Sequence, residues 1–245
     1  MASAMTTSGS GRVSRRTPAN RRLALVVAGL TATAATAGCG GLGQRTDEQS
    51  YEVAEPVTSL VIDARAGAVT VGTGEGPLTV TEMYEYRNDK PRTSHQVDGA
   101  TLKLTETGCA DDTFRCGVHF RIRVPAATAV TITTNAGAVE LDDLDGDIRV
   151  TTDAGSVEAR NLAGDNVSVE TDAGATSLRF REPPTAVQAS TDLGAISVEV
   201  PRGTAYAVDA VTSVGGAEIS VDRDSASPHK ITLRTNVGGI EVKAV

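Results

Sequence analysis

The sequence predicts an all-β protein, a single-domain β-solenoid with about two strands per repeat of 18–23 residues, and three observations carry that prediction. The first is repetition. From 129 to 245 the chain reads VTITTNAGAVEL, IRVTTDAGSVEA, VSVETDAGATSL, VQASTDLGAISVEV, VDAVTSVGGAEISV and ITLRTNVGGIEV, six copies whose turn glycines are Gly137, Gly155, Gly174, Gly194, Gly215 and Gly238. A period in this range marks stacked units, each too small to bury its apolar face alone. The second is alternation. Successive strand residues point to opposite faces, and the copies place Val130, Ile148, Val167, Val187, Val208 and Ile231 in one inward column. Ile132, Val150, Val169, Ala189, Ala210 and Leu233 form the next, while Thr131, Arg149, Ser168, Gln188, Asp209 and Thr232 alternate with them on a wet face. The third is the turn. Asn135, Asp153, Asp172, Asp192, Ser213 and Asn236 stand two residues before each glycine, where a short oxygen-bearing side chain accepts from the glycine N–H in an Asx- or Ser-type turn. The glycine itself is expected to supply a positive φ.

Taken in order, residues 1–38 stay outside the fold. They hold Arg12, Arg15, Arg16, Arg21 and Arg22 and no acid, then an apolar run from Leu23 to Leu30 and a small-residue tract. A basic segment followed by so short an apolar one is an export signal, not a membrane span. Thr36-Ala37-Gly38-Cys39 resembles the lipobox of bacterial lipoproteins, which implies a diacylglycerol on Cys39 and cleavage before it; Thr36 stands where that motif usually has an aliphatic residue. Arg21-Arg22 also bears a weaker resemblance to a twin-arginine export motif. Residues 39–55, glycine-rich and then polar, read as a flexible tether. Residues 56–245 read as one solenoid body.

That body opens with a seventh copy, Leu60, Ile62 and Ala64 leading to Gly67, with Arg65 in place of the Asx residue. Strand-like runs follow at 77–86, 100–106 and 118–124. The interval from Gly67 to Gly137 leaves room for three looser repeats, with 87–99 and the cysteine loop as projecting insertions. Gly72 to Gly76 is glycine-rich, but Pro77 and a strand follow instead of a helix, so it reads as a hairpin turn and not a phosphate loop.

Together the lipoprotein-like signal, LVIDARAGAVTV and the tandem TTDAGSVEARNLAGD-type units resemble the bacterial putative-adhesin family, domains of unknown function, over residues 58–245. The resemblance implies an envelope protein built as a β-solenoid. It leaves the activity to be argued from a site.

Charge and cysteines bound the possibilities. Removing the signal's five arginines from 23 basic residues leaves 18 against 31 acidic, a formal charge of −13. Such a chain has no basic patch for phosphates, which excludes nucleic acid as a partner, and it is repelled by anionic headgroups, so the lipid on Cys39 is the expected membrane contact. Cys109 and Cys116 pair as a disulfide in an exported protein; the alternative is zinc held by Cys109, Cys116 and His119.

No His-Glu-x-x-His, Gly-x-Ser-x-Gly or phosphate-binding lysine motif is present. The chain therefore reads as a non-enzymatic binding or scaffolding surface, with a cell-wall or protein partner. An enzyme acting on polysaccharide is the alternative, and Asp142, Asp143, Asp145 and Asp147 of LDDLDGD are its candidate acids; an envelope-stress or signalling component differs only in its partner. A flat Thr-x-Thr array suited to ice is broken at Arg149. Thr134, Thr152, Thr171, Thr191, Thr212 and Thr235 have inward parity and form an expected hydroxyl ladder. Asp153, Asp172 and Asp192 fall on consecutive copies, a possible weak calcium ladder. Finally, the last copy, with Ile231, Leu233, Ile240 and Val242, is expected to expose an edge open to a second strand, guarded by Lys230, Arg234 and Lys243.

Overall fold

The structure is a computed structural model that describes residues 43–109 and 116–245. Cys39 and the signal lie outside the described residues. The first strand is β1 (Arg45–Val53), followed by β2 (Ser59–Ala66) and β3 (Val69–Thr73). Next come β4 (Leu78–Tyr86), β5 (Arg92–Asp98), β6 (Thr101–Gly108) and β7 (Gly117–Val124). The six copies then supply β8 (Ala129–Ala136) and β9 (Val139–Asp142), β10 (Ile148–Ala154) and β11 (Val157–Leu162), β12 (Asn166–Ala173) and β13 (Thr176–Phe180). Their continuation is β14 (Ala186–Leu193) and β15 (Ile196–Val200), β16 (Ala207–Val214) and β17 (Ala217–Ser220), β18 (Lys230–Val237) and β19 (Ile240–Ala244).

Each copy sends its first strand to one sheet and its second to the other. Sheet I runs β5-β6-β2-β8-β10-β12-β14-β18-β16, and sheet II runs β1-β4-β7-β3-β9-β11-β13-β15-β19-β17. Neighbouring copies pair in parallel with matched registers, Val130 beside Ile148 beside Val167 beside Val187 beside Ile231. The inward columns close into one continuous core between the sheets, and the members named above are buried everywhere except at Val208 and Ala210, which are half-buried.

The glycines have a reason the sequence reading missed. A β-carbon on Gly155 would lie 2.0 Å from the carbonyl oxygen of Gly137, and one on Gly174 would lie 1.9 Å from that of Gly155. Turn is stacked on turn too closely for any side chain, whatever the φ. Nor do the Asx residues close their own turns. The glycine N–H groups donate across to the next copy instead, Gly137 to Ala154 O at 3.0 Å and Gly155 to Ala173 O at 2.9 Å.

Five expectations are corrected at the ends of the array. Part of the tether, 45–53, is β1, held antiparallel on β4 with Tyr51 and Val53 buried. Between Gly67 and Gly137 there is one further parallel copy, β6 with β7, and not three; 92–98 is the strand β5, antiparallel to β6, instead of a projection. The 74–77 turn is no hairpin, because β4 returns antiparallel to β7, one strand beyond β3.

The fifth correction is the largest. The final copy does not form the edge: β18 lies between β14 and β16, and β19 between β15 and β17. Its core residues Ile231, Leu233, Ile240 and Val242 are covered on both sides, leaving β16 and β17 outermost. Relative core size accounts for the exchange. The fifth copy offers Val208, Ala210, Ala217 and Ile219 to the interior, while the last offers two isoleucines, a leucine and a valine. Each large aliphatic side chain gains about 1.5–3 kcal/mol from full burial, so the array is more stable with the bulkier copy enclosed. The nine residues 221–229, longer than the connections between the earlier copies, carry the chain back across.

Candidate functional site

The outer face of sheet I is where polar side chains gather without consuming one another. Register places Thr131, Arg149, Ser168, Gln188 and Thr232 side by side on β8, β10, β12, β14 and β18. Five strands at the usual spacing make this row about 19 Å long. A groove of about 550 Å³ runs along it, lined also by Asp147, Asn166, Glu170 and Lys230. Its four charged residues, Asp147, Arg149, Glu170 and Lys230, balance, although the chain as a whole is acidic. Asp147 Oδ1 accepts from both the backbone N–H and the side-chain amide of Asn166, at 3.2 and 3.1 Å, which fixes one wall. Repeating donors and acceptors at strand spacing suit an extended polar ligand lying across the strands. The outer face of sheet II carries cross-strand ion pairs on β13, β15 and β19, Arg179 to Glu199 at 3.4 Å and Lys243 to Glu199 at 3.1 Å, whereas on sheet I the Arg234 to Asp209 pair lies beyond the groove, on β18 and β16.

The candidate acids of LDDLDGD do not converge on a reacting centre. Asp142 sits 3.7 Å from the Arg160 guanidinium, Asp143 accepts from the Asn161 amide, Asp145 is 2.5 Å from Arg181, and Asp147 holds Asn166. Asp142, Asp143 and Asp147 tie their turn to the next copy, and Asp145 reaches Arg181 two copies on.

The turn column is ordered Asn135, Asp153, Asp172, Asp192, Asn236 by strand pairing. Asn135 donates to Asp153 at 2.7 Å and Asn236 donates to Asp192 at 2.8 Å. An amide thus caps each end of the aspartate run, and Asn236 reaches its place only because the last copy is inserted. Among the described residues no group of three or more His, Cys, Asp or Glu side chains is arranged to hold a metal. The zinc alternative falls with it: Cys109 and Cys116 are joined as a disulfide, and His119 Nδ1 accepts from the Ala68 N–H at 3.1 Å.

The threonine ladder bonds to backbone, not to itself. Thr191, Thr235 and Thr212 donate to the carbonyls of Gly174, Gly194 and Gly238 at 3.3, 3.0 and 2.9 Å, whereas the buried hydroxyls of Thr134, Thr152 and Thr171 have no protein partner. The supposed guards of the last strand pair are otherwise engaged. Arg234 binds Asp209 at 2.5 Å and holds that carboxyl below its usual range, Lys243 joins the sheet II ion pairs, and Lys230 lines the groove.

Two buried carboxylates were not singled out from the sequence, though their inward parity is visible there. Glu82 follows Leu78 and Val80 on β4 and accepts from Tyr51 at 2.8 Å, from Thr93 at 2.7 Å and from Tyr84. Burial, followed by the charge of Glu82, pushes the Tyr51 hydroxyl far above its ordinary pKa. Glu106 follows Leu102 and Leu104 on β6 and accepts from the backbone N–H groups of Arg65 and Ala66 at 2.8 and 3.2 Å. Burial raises its carboxyl, and those two bonds oppose the shift.

Comparison with known proteins adds the fold. A solved structure of a "putative cell adhesion protein" from Clostridium sporogenes superposes with a TM-score of 0.56 at 12% identity, covering 82% of this chain and 100% of its own. The chain has the fold of that protein. A "putative adhesin" from Bacteroides fragilis matches at 16% identity over 82% of this chain and 97% of its own, with a TM-score of 0.48. No family model and no curated protein matches the chain.

Proposed function

We propose that this chain is an exported, lipid-anchored protein of the outer face of a bacterial cytoplasmic membrane, and that its array is a rigid β-solenoid presenting sheet I as an adhesion or scaffolding surface. The observation that carries the reading is the 550 Å³ charge-balanced groove across five registered strands. The Clostridium protein's name, a putative cell adhesion protein, supports the same class of role and a surface location. The Cys109–Cys116 disulfide fits an oxidising compartment, and the lipobox-like Thr36 to Cys39 supplies the anchor.

Two measurements test the two halves separately. Cys39→Ser should release the protein from the membrane fraction or leave its precursor uncleaved; wild-type fractionation and migration would remove the anchor from the reading. Isolated cell-wall polysaccharide and intact cells should bind the wild-type chain and lose that binding with Arg149→Glu, at an unchanged melting temperature. Equal binding by the variant would remove the groove.

A further inference from the structure

Among the described residues, no strand pairs with the outer side of β16 or of β17. Both sheets therefore stop at the same end of the array with open edges. Tyr206 shows which way the backbone groups face: its N–H donates outward to Asp222 O at 2.9 Å and its carbonyl accepts from Asp224 N–H, whereas Ala207 donates inward to His229 O at 2.8 Å. Alternation along a parallel strand then turns the N–H and C=O of Val208 and Ala210 outward. On β17 the Gly216 carbonyl faces β19, so those of Ala217 and Ile219 face out.

Large apolar side chains are exposed around these edges. Among the described residues, four of the five exposed large aliphatic side chains are here: Leu193, Val211, Val214 and Val237. Three of them form a stripe, because register puts Leu193 beside Val237 and Val237 beside Val214, at the turn position that Ala136, Ala154 and Ala173 occupy elsewhere. Behind the edges the half-buried Val208, Ala210 and Ile219 leave the last core layer only partly covered. The usual defences of an edge strand, lysine, proline or a run of charge, are missing from β16. Its one charge, Asp209, is already bound to Arg234.

We infer that this end is an interface between two copies of the chain, joined end to end with β16 antiparallel to β16 and β17 antiparallel to β17. A single strand donated by another protein would satisfy one sheet and leave the other edge and the core between them open. A second copy has two edges with the same separation. A two-fold axis perpendicular to the stack superimposes both pairs at once, giving a closed, self-complementary contact. Pairing centred on Val211 sets Ala210 opposite Thr212 and Asp209 opposite Ser213, so no like charges oppose each other on β16. The two exposed Val211 side chains then meet at the axis.

The test is a disulfide between identical residues. Two differently tagged full-length copies carrying Val211→Cys are produced together and oxidised in intact cells. The expected product is a reducible band at twice the monomer mass that contains both tags. Thr133→Cys, exposed on the same face in the middle of the array, gives no such product above the wild-type background, and adding Val214→Asp to Val211→Cys abolishes it without lowering the melting temperature. Equal cross-linking at positions 133 and 211, no cross-link at 211, or a 211 product containing only one tag and another protein would each overturn the inference.

Discussion

At the β1 and β5 end of the array the edges carry charge: Arg45, Asp47, Glu48 and Glu52 on one strand, Arg92 and Asp98 on the other. Tyr51 from β1 stacks on His95 from β5 at 4.5 Å, so the core is roofed from both sheets. Lys90 lies 3.8 Å over the Tyr84 ring and 3.4 Å from Asp47. At the β16 and β17 end no strand roofs the core among the described residues; the cover there is the 221–229 connection, which meets Tyr206 just before β16 through Asp222 and Asp224. The comparison teaches that stacking copies solves burial only in the middle of an array. Each end needs its own device, and this chain spends β1, β4, β5 and a disulfide on one end and nothing comparable on the other.

The sharpest way to break that comparison is to separate the stacked middle from the open end. Gly155→Ala drives a methyl into the Gly137 carbonyl and should cost more than about 3 kcal/mol, beyond ordinary overpacking. Gly216→Ala has nothing within 4 Å of its β-carbon and should be within about 0.5 kcal/mol of wild type. Equal losses in chemical denaturation would show that the turns are not stacked as described.

Next in size is a pair on one column. Ile240 is 2% exposed and sandwiched between β15 and β17, so Ile240→Ala should cost about 3 kcal/mol. Ile219 is its outer counterpart on β17, and Ile219→Ala should cost less than about half as much. The reverse ranking would put the last copy back at the edge and undo the strand order.

At the closed end, Tyr51→Phe removes one of three hydroxyl donors from the buried Glu82 carboxylate, for a loss of about 1–3 kcal/mol. No change would mean that the roof is held by packing alone.

The smallest expected effect is a pH dependence at Glu106. Its folded pKa is raised, so its protonated form is favoured in the native state. That contribution is full below the ordinary carboxylate range and is lost as pH rises through the raised value. Glu106→Gln keeps an acceptor for Arg65 and Ala66 but does not titrate. Its melting temperature should gain on wild type as pH rises from the acid side toward neutrality; parallel curves would refute a titrating Glu106.

Much of this protein was legible in the chain itself. Period-two alternation assigns every inward residue of the regular copies, because a strand has only two faces and the apolar columns occupy one. The repeat period identifies stacked units, since one unit cannot bury its own face. The groove's polar row was visible too, as the wet column from Thr131 to Thr232, although its balance of charge also depends on Asp147 from a turn and on Glu170 and Lys230 from the strands beside that column. Tertiary structure alone decided which copy lies beside which. Every copy offers nearly the same pairing pattern, so local sequence is degenerate in neighbour choice, and the lengthening of the last period to 23 residues hints only that the chain has farther to travel. The choice falls to burial summed over the whole stack, which favours enclosing Ile231, Leu233, Ile240 and Val242 and leaving the smaller Val208 and Ala210 outside. For the same reason only part of the glycines' role was legible: the expected positive φ holds at Gly137, Gly174, Gly215 and Gly238, but the carbonyl that forbids a side chain at Gly155 belongs to a turn 18 residues away.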